Sequence, residues 1–76
     1  MKQKIINILA DLRPEFDFNE DVNFIEDGML DSFDIISLVS ALDSTFGISI
    51  DGVDILPENF SSIAAIENLL KKNGVK

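Results

Sequence analysis

The feature that most constrains this chain is an apolar stripe running through residues 31–46. Apolar side chains recur there every three or four residues, which is the period of one face of an α-helix and not of a strand. Asp31 is a preferred N-cap, Asp34 follows three residues later as in a capping box, and Gly47 is a plausible C-terminal cap. We therefore predict a helix that begins at residues 31–34, ends near Phe46 and packs on a core through Ile35, Leu38, Val39, Leu42 and Phe46.

Two further segments have a helical period. The first extends from residue 1 to about residue 12 and ends there because Arg13 precedes Pro14, and the residue before a proline is pushed out of helical conformation. A closing helix is predicted to begin around Ser61 or Ser62 and to stop at Gly74. The apolar residues that it is predicted to bury are Ile63, Ile66, Leu69 and Leu70.

Residues 14–30 are predicted to form a long loop between the first two helices. Such a loop is unusual in a compact domain, and its apolar side chains indicate that it is pinned to the core. Residues 48–51 alternate between apolar and polar, and one helical turn is predicted near Asp54 to Asn59. The pattern predicts an all-α fold: a small bundle of three main helices plus a short third helical turn, in one domain comprising residues 1–76.

Composition excludes several classes of function. The 76 residues include no cysteine and no histidine, which removes disulfides, thiolate chemistry, the commonest metal ligand and the commonest general base. The formal charge is -8, and residues 14–70 contain 13 of the 14 acids and no base. Repulsion therefore disfavours binding to nucleic acids and anionic membranes. We expect no catalytic residue and no metal site.

The sequence also bears on where the chain works. Its uncharged stretches are too short to cross a bilayer, and Asn7 and Asp11 interrupt any signal-peptide core near the N-terminus. We therefore expect a cytoplasmic monomer with no membrane insertion.

The segment Gly-Met-Leu-Asp-Ser-Phe-Asp, residues 28–34, carries the most specific signal. A serine in the first turn of a helix lies near unpaired backbone N–H groups and the positive end of the helix dipole, which suits a phosphate. Taken alone, Asp31 and Ser32 indicate an ordinary helix cap, as these residue types do in a great many proteins. The segment resembles the attachment motif of acyl, peptidyl and D-alanyl carrier proteins, and the order of predicted elements over residues 2–72 agrees with that family.

That resemblance implies a cofactor and a role for one residue. Ser32 would receive a covalent 4'-phosphopantetheine arm, derived from coenzyme A and installed by a phosphopantetheinyl transferase with magnesium. The terminal thiol of the arm would carry an acyl or aminoacyl group as a thioester. The motif looks closer to D-alanyl carriers, and to stand-alone carriers that work with adenylating enzymes, than to fatty-acid carriers, which usually have leucine after the serine. The cargo stays open.

The resemblance also implies partners, namely adenylating or acyl-transferring enzymes with basic surfaces. Asp31, Asp34 and Asp43 are expected to supply charge for this recognition. Phe33 and Ile36 lie off the main apolar stripe and are the candidate docking residues. Ordinary core packing is the alternative for both of these side chains.

Two other interpretations remain. Setting Gly28 at the sixth position of an EF-hand loop gives a calcium site, although Ile25 then offers no side-chain oxygen at the third position and no entering helix is predicted. Its ligands would be Asn23, Asp27, Asp31 and Asp34. A nucleic-acid-mimicking inhibitor would account for the acidity but not for the placement of the Asp-Ser pair.

Overall fold

The computed structural model of the protein describes residues 1–18 and 22–75. In chain order these contain helix α1 (Lys2–Leu12), helix α2 (Ser32–Phe46), two 3-10 turns (Gly52–Asp54 and Pro57–Phe60) and helix α3 (Ile63–Lys72). Within those two ranges no strand is formed. Helix α1 packs against both α2 and α3, and the second 3-10 turn packs against α3 and α2. The predicted all-α fold with three main helices is confirmed.

The helices end where local chemistry predicts. Arg13 leaves helical conformation at φ -137° and ψ 78°, directly before Pro14. Gly47 follows α2 at φ 65° and ψ 40°, a left-handed conformation that a residue with a Cβ seldom adopts. The hydroxyl of Ser62 accepts a hydrogen bond of 3.1 Å from the backbone N–H of Ala65, which caps the start of α3.

The connection between α2 and α3 differs from the prediction. One helical turn was expected near Asp54 to Asn59, and the structure has two 3-10 turns separated by Ile55 and Leu56. Proline explains the division, because Leu56 precedes Pro57 and is held extended at φ -120° and ψ 141°.

A continuous apolar core joins the three helices and the long loop. The predicted stripe of α2 faces this core, except that Phe46 is only partly buried. Ile63, expected to be buried in α3, is also only partly buried and lies at the edge of the core. The largest side chains that are fully buried are Phe18, Phe24, Phe60, Ile5, Leu9, Leu38, Leu42, Ile66 and Leu70.

Phe24 fixes the long loop to the core, as the apolar content of the loop predicted. Its backbone N–H donates to the carbonyl of Ser61 at 2.7 Å, just before α3. Its carbonyl accepts from the N–H groups of Met29 at 2.8 Å and Leu30 at 3.1 Å. Its ring lies edge-to-face with Phe18 at a centroid distance of 5.1 Å. The chain entering α2 is thereby held at a defined place.

The turn at 23–28 completes this arrangement. The side-chain oxygen of Asn23 accepts from the N–H groups of Ile25 at 3.0 Å and Glu26 at 2.9 Å. Gly28 then reverses the chain at φ 72°, where an L side chain would be strained. Together these residues set the direction in which the chain approaches Asp31.

We predict that Phe24→Ala strongly destabilises the protein. The ring is 1% exposed, and truncating a buried phenylalanine costs about 3–5 kcal/mol in unfolding free energy. Phe33 is the matched control, because it is 82% exposed and its loss should cost about 0.5 kcal/mol or less. Urea denaturation followed by circular dichroism measures both, and equal losses in the two variants would show that Phe24 is no anchor.

Candidate functional site

Ser32 is the first residue of α2 and is exposed. Its neighbour Asp31 is the N-cap, with extended backbone at φ -113° and ψ -174°. The side chain of Ser32 therefore stands at the N-terminal end of a helix of 15 residues, where backbone N–H groups are unpaired and the dipole is positive. An exposed hydroxyl at this place is open to a modifying enzyme.

A reciprocal capping box fixes the backbone on both sides of Ser32. Asp31 Oδ1 accepts from the backbone N–H of Asp34 at 3.0 Å, and Asp34 Oδ2 accepts from the backbone N–H of Asp31 at 3.0 Å. The predicted cap is confirmed with both hydrogen bonds formed. It also places one carboxylate on each side of Ser32 along the chain.

Arg13 binds this capping box from the end of α1. Its Nε and Nη2 atoms lie 2.9 Å and 2.8 Å from Asp34 Oδ2, and Nη2 lies 3.5 Å from Asp31 Oδ2. Its Nη1 atom is 3.4 Å from Glu15 Oε2. From the sequence, Arg13 was predicted only to end α1. One feature of the sequence could have indicated that Arg13 pairs with an acid, namely that it is the only base between residues 5 and 70.

The contacts of Asp34 lower its pKa. Burial of the carboxyl group raises the pKa, but the hydrogen bond from Arg13, the backbone hydrogen bond at Asp31 and the guanidinium charge outweigh burial, so the net pKa lies below the ordinary value of 3.8. The hydrogen bond to Asp34 and its charge raise the pKa of Arg13. Both groups are therefore held in their charged forms at neutral pH.

Of the three acids expected to face partners, only Asp31 is exposed. Asp34 is buried beneath Arg13, with 13% of its side chain accessible. Asp43 is half-buried, and its Oδ1 atom accepts a 3.0 Å hydrogen bond from the backbone N–H of Ile50. Both carboxylates are bonded within the fold, so we do not assign Asp34 or Asp43 to a docking surface.

The two candidate docking residues are both exposed. Phe33 is 82% exposed and Ile36 is 63% exposed, so core packing is excluded for each of them. The same solvent-facing side of α2 continues with uncharged residues, namely Ser37, Ser40 and Ser44. The outer face of α2 is thus apolar beside Ser32 and neutral farther along the helix.

The residues of the calcium alternative make other contacts. The side chain of Asn23 caps the turn at 24–28, and Asp34 binds Arg13. In the part of the chain that the structure describes, no three acidic side chains are grouped closely enough to hold a metal ion. The described residues of the loop also contain no helix before Asn23 that would enter an EF-hand. The geometry gives this alternative no support.

The comparison with known proteins defines the class to which this helical bundle belongs. The sequence matches the family described as "Phosphopantetheine attachment site" over residues 3–70, so the chain belongs to this phosphopantetheine-binding family of carrier proteins. The prosthetic group of the family is a covalently attached 4'-phosphopantetheine. The exposed serine and the positive end of α2 fit a covalently attached phosphate.

A named relative agrees with this family. The chain is 35% identical over 51 residues to a D-alanyl carrier protein of Bacillus velezensis (strain DSM 23117 / BGSC 10A6 / LMG 26770 / FZB42). The match covers 64% of this chain and 65% of the relative, which is just under two thirds of the relative's length. No solved structure matches the chain.

In residues 1–18 and 22–75 no helix is long and apolar enough to cross a membrane.

We predict that Asp34 makes stability depend on pH in the acid range. Its pKa is lower in the folded than in the unfolded state, so its contribution is complete above the unfolded value and is lost as pH falls through the folded value. The unfolding free energy, measured by urea titration at several pH values, should decrease for the wild type as the pH falls below the ordinary pKa of an aspartate, 3.8. Asp34→Asn should remove this part of the decline.

Asp27→Asn is the control for this measurement. Asp27 is an exposed acid of the adjacent loop, and the change removes the same formal charge without touching Arg13. We expect it to keep the wild-type decline at low pH. A decline of wild-type steepness in Asp34→Asn would contradict the assignment to Asp34.

Proposed function

We propose that residues 1–76 form one carrier domain in which Ser32 is the attachment point of the 4'-phosphopantetheine arm. The observation that carries the proposal is the exposure of Ser32 at the capped N-terminus of α2, in a chain that matches the phosphopantetheine-attachment family. The capping box fixes the backbone at this position, and the exposed side chain is open to a transferase.

The attachment step is a transfer of phosphopantetheine from coenzyme A to the serine hydroxyl. A bond forms between Ser32 Oγ and the phosphorus next to the pantetheine, and the bond from that phosphorus to the bridging oxygen of 3',5'-ADP breaks. The hydroxyl proton goes to a base of the transferase, and 3',5'-ADP leaves with magnesium balancing its charge. Because the chain has no histidine and no cysteine, Ser32 has no imidazole or thiolate of its own chain to activate it. Ser32 is therefore a substrate of the transferase and not a catalyst.

The bound arm supplies a terminal thiol that carries an acyl or aminoacyl group as a thioester. The relative named as a D-alanyl carrier protein supports an aminoacyl cargo, activated by an adenylating enzyme. The phenylalanine after the serine agrees with this assignment, because fatty-acid carriers usually have leucine there. The chain contains no cysteine, so its own side chains offer no second thiol to which the cargo is lost.

The test is loading by a broad-specificity phosphopantetheinyl transferase with coenzyme A and magnesium. We expect intact-protein mass spectrometry to show the addition of one arm to the wild type and none to Ser32→Ala. Ser37→Ala is the matched control, because Ser37 is also exposed on α2 and lies five residues farther along the helix. The proposal fails if Ser32→Ala is still modified, or if the wild type is never modified.

The surface of α2 beside Ser32 supports an apolar mode of docking for partner enzymes. Phe33 follows Ser32 directly. Ile36 lies three residues after Phe33, about one helical turn, so the exposed side chains of Phe33 and Ile36 share a face of α2. The acids of α2 are Asp34 and Asp43, and both are bonded within the fold. We propose that partners present an apolar pocket to Phe33 and Ile36. The basic surfaces of the partner enzymes are attracted to acidic residues of the carrier outside α2, and this attraction raises the rate of encounter.

We predict that Phe33→Ala and Ile36→Ala weaken partner binding without unfolding the protein. Each loss should raise the KM of the carrier for a transferase or adenylating enzyme on the order of tenfold, which corresponds to about 1.4 kcal/mol of lost contact. Both side chains are mostly exposed in the free protein, so the unfolding free energy should change by no more than about 0.5 kcal/mol.

Val53→Ala is the matched control, since Val53 is an apolar residue that is 75% exposed in the connection between α2 and α3. Steady-state kinetics at varied carrier concentration separates KM from kcat. An unchanged KM in both α2 variants, or an equal rise for Val53→Ala, would contradict docking through the face of α2.

A further inference from the structure

The region around Ser32 presents an electrostatic difficulty for the proposed modification. Coenzyme A and the phosphate left on the protein are negative, and Ser32 lies between Asp31 and Asp34 in a chain with a formal charge of -8. Like charges held close together repel, and the repulsion is stronger near a protein surface than in bulk water. The positive end of α2 offsets part of this repulsion.

Arg13 contacts both flanking carboxylates at once. Its guanidinium makes two close contacts with Asp34 Oδ2, at 2.9 Å and 2.8 Å, and a longer one of 3.5 Å with Asp31 Oδ2. About a third of the Arg13 side chain is exposed, at 35%, and its Nη1 atom also lies 3.4 Å from Glu15 Oε2. All the other bases lie in residues 1–4 or 71–76 of the sequence.

We propose that Arg13 is a positioning residue for attachment of the arm, because its positive charge offsets part of the negative charge of the two carboxylates that flank Ser32 and so helps the start of α2 to accept a phosphate. This inference rests on the proposed function of Ser32. A purely structural alternative is that Arg13 only ties α1 to α2. The two roles differ, because the charge of the exposed Asp31 is screened by salt, whereas the nearly buried pair between Arg13 and Asp34 is screened much less.

The longer contact to Asp31 also matters for the modified protein. At 3.5 Å it is weaker than the contacts to Asp34, and the Asp31 side chain is 62% exposed. We therefore expect the contact to Asp31, and not those to Asp34, to change when Ser32 carries a phosphate.

The test measures kcat/KM for loading by a phosphopantetheinyl transferase with coenzyme A and magnesium, as a function of sodium chloride concentration. We expect Arg13→Gln to lower kcat/KM about tenfold at low salt, with the loss shrinking to about twofold at high salt because ions screen the exposed acids. Arg13→Lys should restore most of the activity, since it returns the charge without the forked geometry of a guanidinium.

The decisive variant is Arg13→Gln combined with Asp31→Asn, compared with each single variant. If Arg13 acts by offsetting charge, removal of the exposed acid should recover several-fold of the activity lost in Arg13→Gln. If Arg13 is only a structural tie, the double variant should be no better than Arg13→Gln, because the nearly buried Asp34 is left without its guanidinium partner in both. Asparagine keeps an oxygen that accepts the backbone hydrogen bond of the cap.

Lys72→Gln is the matched control, because it removes one positive charge from an ion pair, Lys72 Nζ to Asp54 Oδ1 at 2.7 Å, that does not involve α2. We expect it to load like the wild type at every salt concentration. The inference is overturned if Arg13→Gln loads like the wild type, if its loss is equal at low and high salt, or if the double variant recovers nothing. Modification that persists in Ser32→Ala overturns the proposed function instead, so the two failures are distinguishable.

Discussion

The contact between Arg13 and Asp34 joins the last turn of α1 to the first turn of α2, across the whole length of the long loop. Asp34 serves two structures at once, since the same Oδ2 atom accepts from the guanidinium and from the backbone N–H of Asp31. A carboxylate that is nearly buried is stable only when its oxygens are paired, and here the pairing also closes the loop and fixes the cap. The position and the charge of the helix start on which Ser32 lies both depend on this interaction.

Residues 22–30 of the loop are organised around Phe24, whose backbone forms hydrogen bonds and whose ring packs against Phe18. The ring fills the core beside Phe18, and the backbone N–H and carbonyl groups connect the start of α3 to the approach of α2. A long loop normally has mobile ends, but these contacts leave little freedom in the residues that precede Ser32. The functional helix is therefore held at its N-terminus by a polar contact on one side and an apolar anchor on the other.

The parts that could be predicted from the sequence are those determined by local chemistry. Asp31, Asp34 and Gly47 cap α2 through neighbours within a few residues, and the apolar stripe of α2 needs only the helical period. The division of the connection between α2 and α3 into two 3-10 turns could also have been predicted, because Pro57 restricts the conformation of the residue before it.

The contacts that could not be predicted are tertiary. Arg13 reaches Asp34 across 21 positions of sequence, and Asp43 turns its carboxylate to Ile50 beyond the end of its helix. No period or spacing distinguishes an acid that will be bonded inside the fold from one that will face solvent. For that reason the sequence predicted that Asp34 and Asp43 face partners, whereas in the structure both accept hydrogen bonds within the fold.

The hydrogen bond from Phe24 to Ser61 has a consequence for how the molecule opens. Because the loop and the start of α3 share this bond and a buried ring, neither is able to detach while the other stays in place. Amide protons of residues 24–30 should therefore exchange with solvent water together with those of the helices, as one cooperative unit. If Ser32 carries the arm as proposed, the residues before it are held in place, and the motion that delivers a cargo belongs to the arm and not to this part of the polypeptide.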